Sequence, residues 1–288
     1  MNKNNLKTAV LLAALGGLIM VISEVIFGGM QGLTIGLVIA FVMTFFSYWF
    51  SDKLAIKASR AQPVTESEAP QLYRLTRELT TQANLPMPRL YVIPSEQPNA
   101  FATGRNPQHS AVAVTQGIVQ ILDEDELKGV LAHELMHIKN RDILISSVAA
   151  AVAMGIMFTA RMAMWGAMFG GGRGNDRGGG NIIGMLAMMI LAPLAAGMIQ
   201  MALSRSREFE ADHDAAFLIG QGDPLARALE KLQSTAERVP AQVHPAQAPM
   251  YIVNPLSGRK ANFAALFSTH PPTEERTARL RAINPHVR

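Results

Sequence analysis

Four long apolar segments constrain the fold of this 288-residue chain more than any other feature of its sequence. The first two, residues 8–27 and 33–50, are each long enough to cross a hydrocarbon core of about 30 Å as helices. The other two, about 143–166 and 182–203, form a second pair joined by a glycine-rich loop. Hydrophobic residues make up 49% of the chain and charged residues only 17%, a balance typical of membrane proteins. We therefore predict two transmembrane helical hairpins.

Basic residues flank the outer ends of both predicted hairpins, where the hydrophilic parts of the chain begin or end. They are Lys3, Lys7, Lys53, Lys57, Arg60, Lys139, Arg141, Arg205 and Arg207. By the positive-inside rule these flanks and both chain termini are predicted to be cytoplasmic. Arg173 and Arg177, in the loop of the second hairpin, favour the opposite orientation in the membrane, but the other basic flanks outnumber them.

The second hairpin divides the hydrophilic part of the chain. We predict a transmembrane hairpin in residues 1–52, a first soluble part in 53–142, the second hairpin in 143–203 and a second soluble part in 204–288. Hydrophobic periodicity and breakers predict helices at 67–83, after Asp123, at 208–219, at 224–238 and after Pro272, and strands at 90–93, 99–104 and 111–115. The strand at 99–104 has edge character because Gly104 and Pro107 soon end it. The predicted fold class is mainly α and integral to the membrane, with a cytosolic α+β domain.

The sequence LAHELMHIKNRD, residues 131–142, holds two histidines at helical spacing. His133 and His137 stand one above the other on the same helix face, with Glu134 beside them, so both imidazoles can reach one cation. Such a motif alone also fits a solvated helix face. The neighbouring apolar residues predict that this helix is mostly buried, where two histidines and a glutamate are costly unless something binds them. A catalytic zinc ion needs a third protein ligand and keeps one position for water.

The sequence SRSREFEADHDAA, residues 204–216, offers that ligand directly after the fourth apolar segment. Glu208 and Asp212 lie four apart on one helix face, whereas Glu210 points elsewhere. An exposed helix start would explain the same acidic residues. The hairpin, however, leaves the cytoplasm and returns, which brings Glu208 back to the side where the two histidines lie. Asp212 is then placed to accept the free N–H of a ligating histidine, which we predict to be His133.

The cysteine content and the net charge of the chain argue against several kinds of site and against nucleic acid as a partner. The chain has no cysteine, so disulfides, thiolate metal sites and cysteine nucleophiles are excluded, and any metal must use nitrogen and oxygen ligands. Its net charge of +4 is modest and its basic residues do not form a long cationic run, which argues against nucleic acid as a partner.

Four motifs and their order along the chain resemble the HtpX family of bacterial membrane proteases, relatives of the eukaryotic CaaX prenyl proteases. They are NAFATG at 99–104, HELMH at 133–137, SRSREFEAD at 204–212 and STHPPTEER at 268–276. The resemblance covers nearly the whole chain. It implies a zincin-like (gluzincin) endopeptidase of the bacterial inner membrane, with one zinc ion per chain and a cytosolic active site, acting on misfolded or damaged membrane proteins in stress response and quality control. It also implies that Glu208 is the third zinc ligand.

In this interpretation Glu134 is the general base that takes a proton from water at the metal. The resemblance assigns His270, supported by Arg276, to stabilising the negative oxygen that forms during hydrolysis. It also assigns the segment Asn99, Ala100, Phe101, Ala102 and Thr103 to a strand against which an extended substrate lies. A purely structural reading of these segments, as an ordinary strand and a proline-initiated helix, stays open.

Two other classes of function compete with the protease interpretation. A noncatalytic membrane metal-binding or scaffold protein would need no residue in the position of Glu134. A transporter would use Glu24 and Arg161 as polar residues inside its membrane segments. Four spans with so few charges, joined to a large soluble part, make the transporter interpretation poor. Zinc, cobalt and manganese are not distinguished by the residues themselves.

Overall fold

The computed structural model describes residues 29–144, 205–238, 251–253 and 271–283, together with the separate positions 10, 13, 16, 17 and 20. The third and fourth predicted spans lie outside these residues almost entirely, as do Glu24, Arg161 and His270. Most of the first predicted span also lies outside them.

A four-stranded sheet forms one side of the unit built by the described residues of the two predicted soluble parts, which we call the soluble unit. Its strands are β1 (Gln62–Pro63), β2 (Arg89–Ile93), β3 (Ala100–Gly104) and β4 (Ser110–Thr115). Their order is β1-β2-β4-β3, with β2 parallel to β4 and the two outer pairs antiparallel. The three predicted strands are confirmed, and β3 lies at an edge of the sheet as predicted. The two-residue strand β1 was not predicted, because a segment that short carries no periodicity.

The helix that carries the two histidines runs through the middle of the soluble unit. This helix, α4 (Glu124–Asn140), begins after Asp123 as predicted, with a capping box in which Asp123 accepts a hydrogen bond from the Glu126 amide and Glu126 accepts one from the Asp123 amide. Eleven of its residues are buried, including His133 and Glu134. The helix is therefore buried around most of its circumference, as the apolar neighbours of the motif predicted.

Helices surround α4 on the side away from the sheet. They are α2 (Pro70–Ala83), α5 (Arg205–Ile219), α6 (Asp223–Arg238) and α7 (Thr273–Ala282), while the short α3 (Gln116–Ile121) follows β4. These helices bury a single apolar core with α4 that includes Leu79, Leu131, Leu135 and Leu229. Burial of that core fixes α4 and α5 side by side, which is the packing that builds the site.

The helix α1 (Gly29–Ala58) contains the second predicted span, residues 33–50. It exposes a long series of large apolar side chains, from Met30 to Trp49. Its last turns lie against the sheet, where Ala55 packs with Phe101 and Asp52 accepts a hydrogen bond from Arg89 at 2.9 Å. Within the described residues, no helix has both the length and the hydropathy needed for a bilayer crossing. The four-span topology therefore stays a prediction.

Candidate metal centre

The two histidines of α4 point their rings at the same point. The ring centres of His133 and His137 are 4.6 Å apart at an interplanar angle of 85°, and the two Nε2 atoms lie 3.1 Å from each other. The side chain of His133 is 1% exposed and that of His137 15% exposed. Solvent therefore approaches the space between the two rings from the side of His137.

Glu208 on α5 faces both rings. Its carboxylate oxygens lie 3.7 Å from His133 Nε2 and 3.7 Å from His137 Nε2, and its side chain is buried. One ligand atom from each of the three residues lies within 4.8 Å of the others. The structure therefore brings together the three side chains that the sequence predicted to share a cation.

Each histidine also has a carboxylate on its other ring nitrogen. His133 Nδ1 lies 2.9 Å from Asp212 Oδ1, and His137 Nδ1 lies 3.0 Å from Asp142 Oδ2. An ionised carboxylate only accepts hydrogen bonds, so the ring proton of His137 lies on Nδ1 and its Nε2 keeps the lone pair. The 2.9 Å contact of His133 Nδ1 with Asp212 favours the same tautomer for His133, although its geometry is not that of a hydrogen bond. Two lone pairs that face each other at 3.1 Å repel unless a proton or a cation lies between them.

These residues fit a metal ion. Two nitrogen ligands at about 2.0–2.1 Å from a tetrahedral zinc ion are roughly 3.3 Å apart, between the observed separations of 3.1 and 3.7 Å. Burial disfavours a charged imidazole, but the carboxylates of Asp142 and Glu208 outweigh it and raise the pKa of His137 to about 10. The negative potential that attracts a proton there attracts a divalent cation more strongly.

Arg276 on α7 supports the site through Asp212. Its Nε and Nη2 donate to the two Asp212 oxygens at 2.8 and 2.7 Å, and its Nη1 donates to the Ile252 carbonyl at 2.9 Å. Burial alone would raise the pKa of Asp212, but Arg276 and His133 lower it to about 2, so this carboxylate stays ionised. Arg276 Nη2 is also 3.5 Å from His133 Nε2. Bidentate pairing therefore fixes Asp212, which in turn fixes the ring of His133.

Glu134 lies between the histidines and the edge strand. The Ala102 amide of β3 donates to Glu134 Oε2 at 2.7 Å, so this amide points to the free edge of the sheet and away from β4. Burial raises the pKa of Glu134 to about 7, against the opposing effects of His137 and the Ala102 amide. A carboxylate whose pKa lies near neutrality can both accept and return a proton.

Two other residues of the predicted substrate strand contact other parts of the fold. The Asn99 side chain accepts from the Ile252 amide at 3.1 Å, and Phe101 packs with Ala55 and Ile93 on the face of the sheet next to α1. Ala102 of this segment is hydrogen-bonded to the predicted catalytic side chain of Glu134. His270 lies outside the described residues, so its predicted role stays a prediction.

Comparison with known proteins identifies the family. The model of Peptidase family M48 matches residues 66–284, most of the chain. The chain belongs to peptidase family M48. The "Protease HtpX homolog" of Syntrophobacter fumaroxidans is 54% identical over 96% of this chain and 98% of its own length, and that of Methylibium petroleiphilum is 53% identical over 98% of each. This M48 chain is therefore a metalloprotease of the HtpX type.

A solved structure shows the same fold. The crystal structure of S. mikatae Ste24p matches this M48 chain with a TM-score of 0.52 at 21% identity, over 95% of this chain and 64% of that one. At this identity the likeness concerns the fold alone.

Asp142 is a site residue that sequence reasoning missed in this M48 protease. We expect Asp142→Asn to weaken metal binding by about 10–100-fold, because the amide holds His137 in its ligating orientation less firmly and makes the site less negative. The measurement is competition for metal against a chromophoric chelator.

Asp214→Asn provides the matched control for Asp142→Asn. Asp214 Oδ1 lies 3.3 Å from Nδ1 of His213, a histidine that is not one of the three candidate ligands, so metal affinity should be unchanged. Equal affinities for the two variants and the wild-type protein would contradict the role of Asp142.

Proposed function

We propose that this M48 metalloprotease is a zinc endopeptidase of the bacterial inner membrane that cleaves misfolded or damaged membrane proteins on their cytosolic side. The observation that carries the proposal is the convergence of His133, His137 and Glu208, with Glu134 hydrogen-bonded to the edge strand beside them. Three nitrogen and oxygen ligands leave room for water in the first shell of a zinc ion, as hydrolysis requires.

The protein side chains divide the chemistry between them. His133, His137 and Glu208 would hold a zinc ion, which would supply a Lewis acid and would lower the pKa of water to about 7. Glu134 takes the proton of the attacking water and delivers it to the leaving amine. Asp142 and Asp212 hold the histidine rings in the ligating tautomer. Arg276 acts through Asp212, since its guanidinium is buried and bound to that carboxylate. His270 completes the stabilisation of the negative oxygen.

Strand β3 suits a substrate of little defined sequence. An extended peptide that adds to the free edge is held mainly by main-chain hydrogen bonds, which do not depend on side-chain identity. The Ala102 amide places the Glu134 carboxylate at this edge. Binding through the backbone therefore favours unfolded segments over folded ones.

The proposed membrane location rests on the apolar segments and on α1. Large apolar side chains such as Leu37, Val38 and Phe41 are between 56% and 71% exposed, far more than a water-facing helix tolerates over such a length. Their surroundings would be lipid or the other apolar segments. The basic flanks Lys53 and Lys57 follow this face and favour a cytosolic position for the soluble unit.

The function is tested with purified full-length protein in detergent. We expect chelator-treated protein to be inactive and one equivalent of zinc to restore cleavage of casein and of a denatured membrane protein, with cobalt and manganese titrated in parallel. Cleavage that is indifferent to chelation would overturn the metalloprotease mechanism. Restoration by another ion alone would overturn only the assignment of zinc.

A further inference from the structure

Arg207 is a buried cation beside the metal centre that the proposed chemistry does not use. It stands next to Glu208 on α5, and its side chain is 6% exposed. Neither Nη1 nor Nη2 has a hydrogen-bond partner within the part of the chain that the structure describes. A buried guanidinium whose Nη1 and Nη2 lack hydrogen bonds is costly, so a compensating charge must offset part of that cost.

That compensation comes from two carboxylates of the site. Burial lowers the pKa of Arg207, and the negative charges of Asp142 and Glu208 oppose this effect. Glu208 is a proposed metal ligand, and Asp142 contacts the other nitrogen of the ligand His137. Arg207 is thus coupled by charge to the half of the site that includes His137.

The buried charges of the site do not balance by themselves. Among the described residues, the site buries four carboxylates, on Glu134, Asp142, Glu208 and Asp212. It buries two guanidinium groups, on Arg207 and Arg276. With neutral imidazoles and with Glu134 in the ionised form that can take a proton from water, the cluster carries two net negative charges, which a divalent cation neutralises. Without the charge of Arg207 the same cluster would carry three.

We propose that Arg207 is a buried counter-ion that matches the net charge of the site to a divalent metal, so that the ion is held less tightly but remains a stronger Lewis acid. The inference rests on the proposed metal centre. Arg207 acts here through Glu208 and Asp142 and is a positioning residue, not a catalytic one.

Loss of the Arg207 charge should affect metal affinity in the opposite direction to loss of a residue that supports the fold. A residue that merely supports the fold weakens metal binding when it is removed. Removal of the Arg207 charge instead leaves the cation with an additional unbalanced negative charge, which attracts it more strongly at low effective dielectric. The same excess charge reduces the power of the ion to polarise a carbonyl oxygen or to acidify water. Tighter binding and slower turnover should therefore occur together.

The test uses Arg207→Met in the full-length protein and compares zinc affinity with kcat. We expect zinc affinity, measured by chelator competition, to rise roughly tenfold or more, and kcat on casein to fall by a similar factor. Arg207→Lys keeps the charge and should retain wild-type affinity. Arg205→Met removes an exposed cation from the same helix and should change neither quantity.

An affinity of Arg207→Met equal to or weaker than that of the wild type would overturn the proposal. If thermal melting shows that this variant does not fold, Arg207→Gln replaces it and is judged by the same criterion. Failure of the wild-type protein to bind one divalent ion per chain would instead reject the metal centre on which the inference rests. The two failures are thus distinguishable.

Discussion

Glu134→Gln is expected to abolish most peptide hydrolysis while leaving metal binding intact. Glutamine keeps the size of the side chain and can still accept the Ala102 amide, but it cannot take a proton from water. Loss of a general base costs about a hundredfold to ten-thousandfold in rate. We expect kcat on casein to fall within or beyond that range, with KM nearly unchanged because the edge strand is intact.

The informative control for this variant is its metal content. Stoichiometric zinc in Glu134→Gln, measured by elemental analysis after gel filtration, would separate a lost base from a lost ligand. Glu124→Gln removes an exposed carboxylate from the first turn of the same helix and should keep full activity. Wild-type kcat in the Glu134 variant would refute its assignment as the base.

Local patterns in the sequence predicted the parts of the fold that depend on neighbouring residues. The capping box of Asp123 and Glu126 begins α4 at the predicted place, and short apolar segments between breakers predicted β2 and β4. The start of α2 was predicted at Ser67, but the helix begins at Pro70. The reason is a turn, in which Glu68 accepts hydrogen bonds from the amide and the hydroxyl of Thr65.

In the metal centre, too, the residues placed by helical spacing were easier to predict than those placed by other contacts. Helical spacing is sufficient to place His133, Glu134 and His137 on one surface, and the returning hairpin gave a topological reason to add Glu208. Asp142 was missed because it lies five residues after His137, a spacing that no regular helix brings together. Arg141 ends α4 in a left-handed conformation, with φ of 58°, and thereby turns Asp142 back to the ring.

The positions of Arg207 and Arg276 could not be predicted from hydrophobic periodicity. The positive-inside rule placed Arg207 among the cytoplasmic basic flanks, yet the folded chain buries its side chain, directly before Glu208 on α5. The family resemblance linked Arg276 to His270, whereas in the structure Arg276 donates hydrogen bonds to Asp212, 64 residues away. Both outcomes depend on how α4, α5 and α7 pack, and a single sequence contains no direct signal for the contacts between helices that are distant in the chain.

Glu208→Gln is expected to remove high-affinity metal binding and, with it, proteolysis. The substitution keeps the volume of the side chain but replaces a charged oxygen ligand by a neutral amide, on the only proposed ligand that α5 contributes. Affinity should fall by more than the 10–100-fold typical of residues that merely orient a ligand. Because α5 stays packed against α4 through apolar residues such as Ala211 and Ala215, the variant should remain folded.

Glu210→Gln is the matched control, because Glu210 lies two residues further along the same helix and is exposed. It should bind zinc and cleave casein like the wild type. The decisive comparison is the zinc content of the two variants after dialysis against a weak chelator. Zinc retained at one equivalent by Glu208→Gln would mean that the two histidines find their third ligand elsewhere. The convergence of α4 and α5 would then be structural, and the returning hairpin would not deliver the ligand.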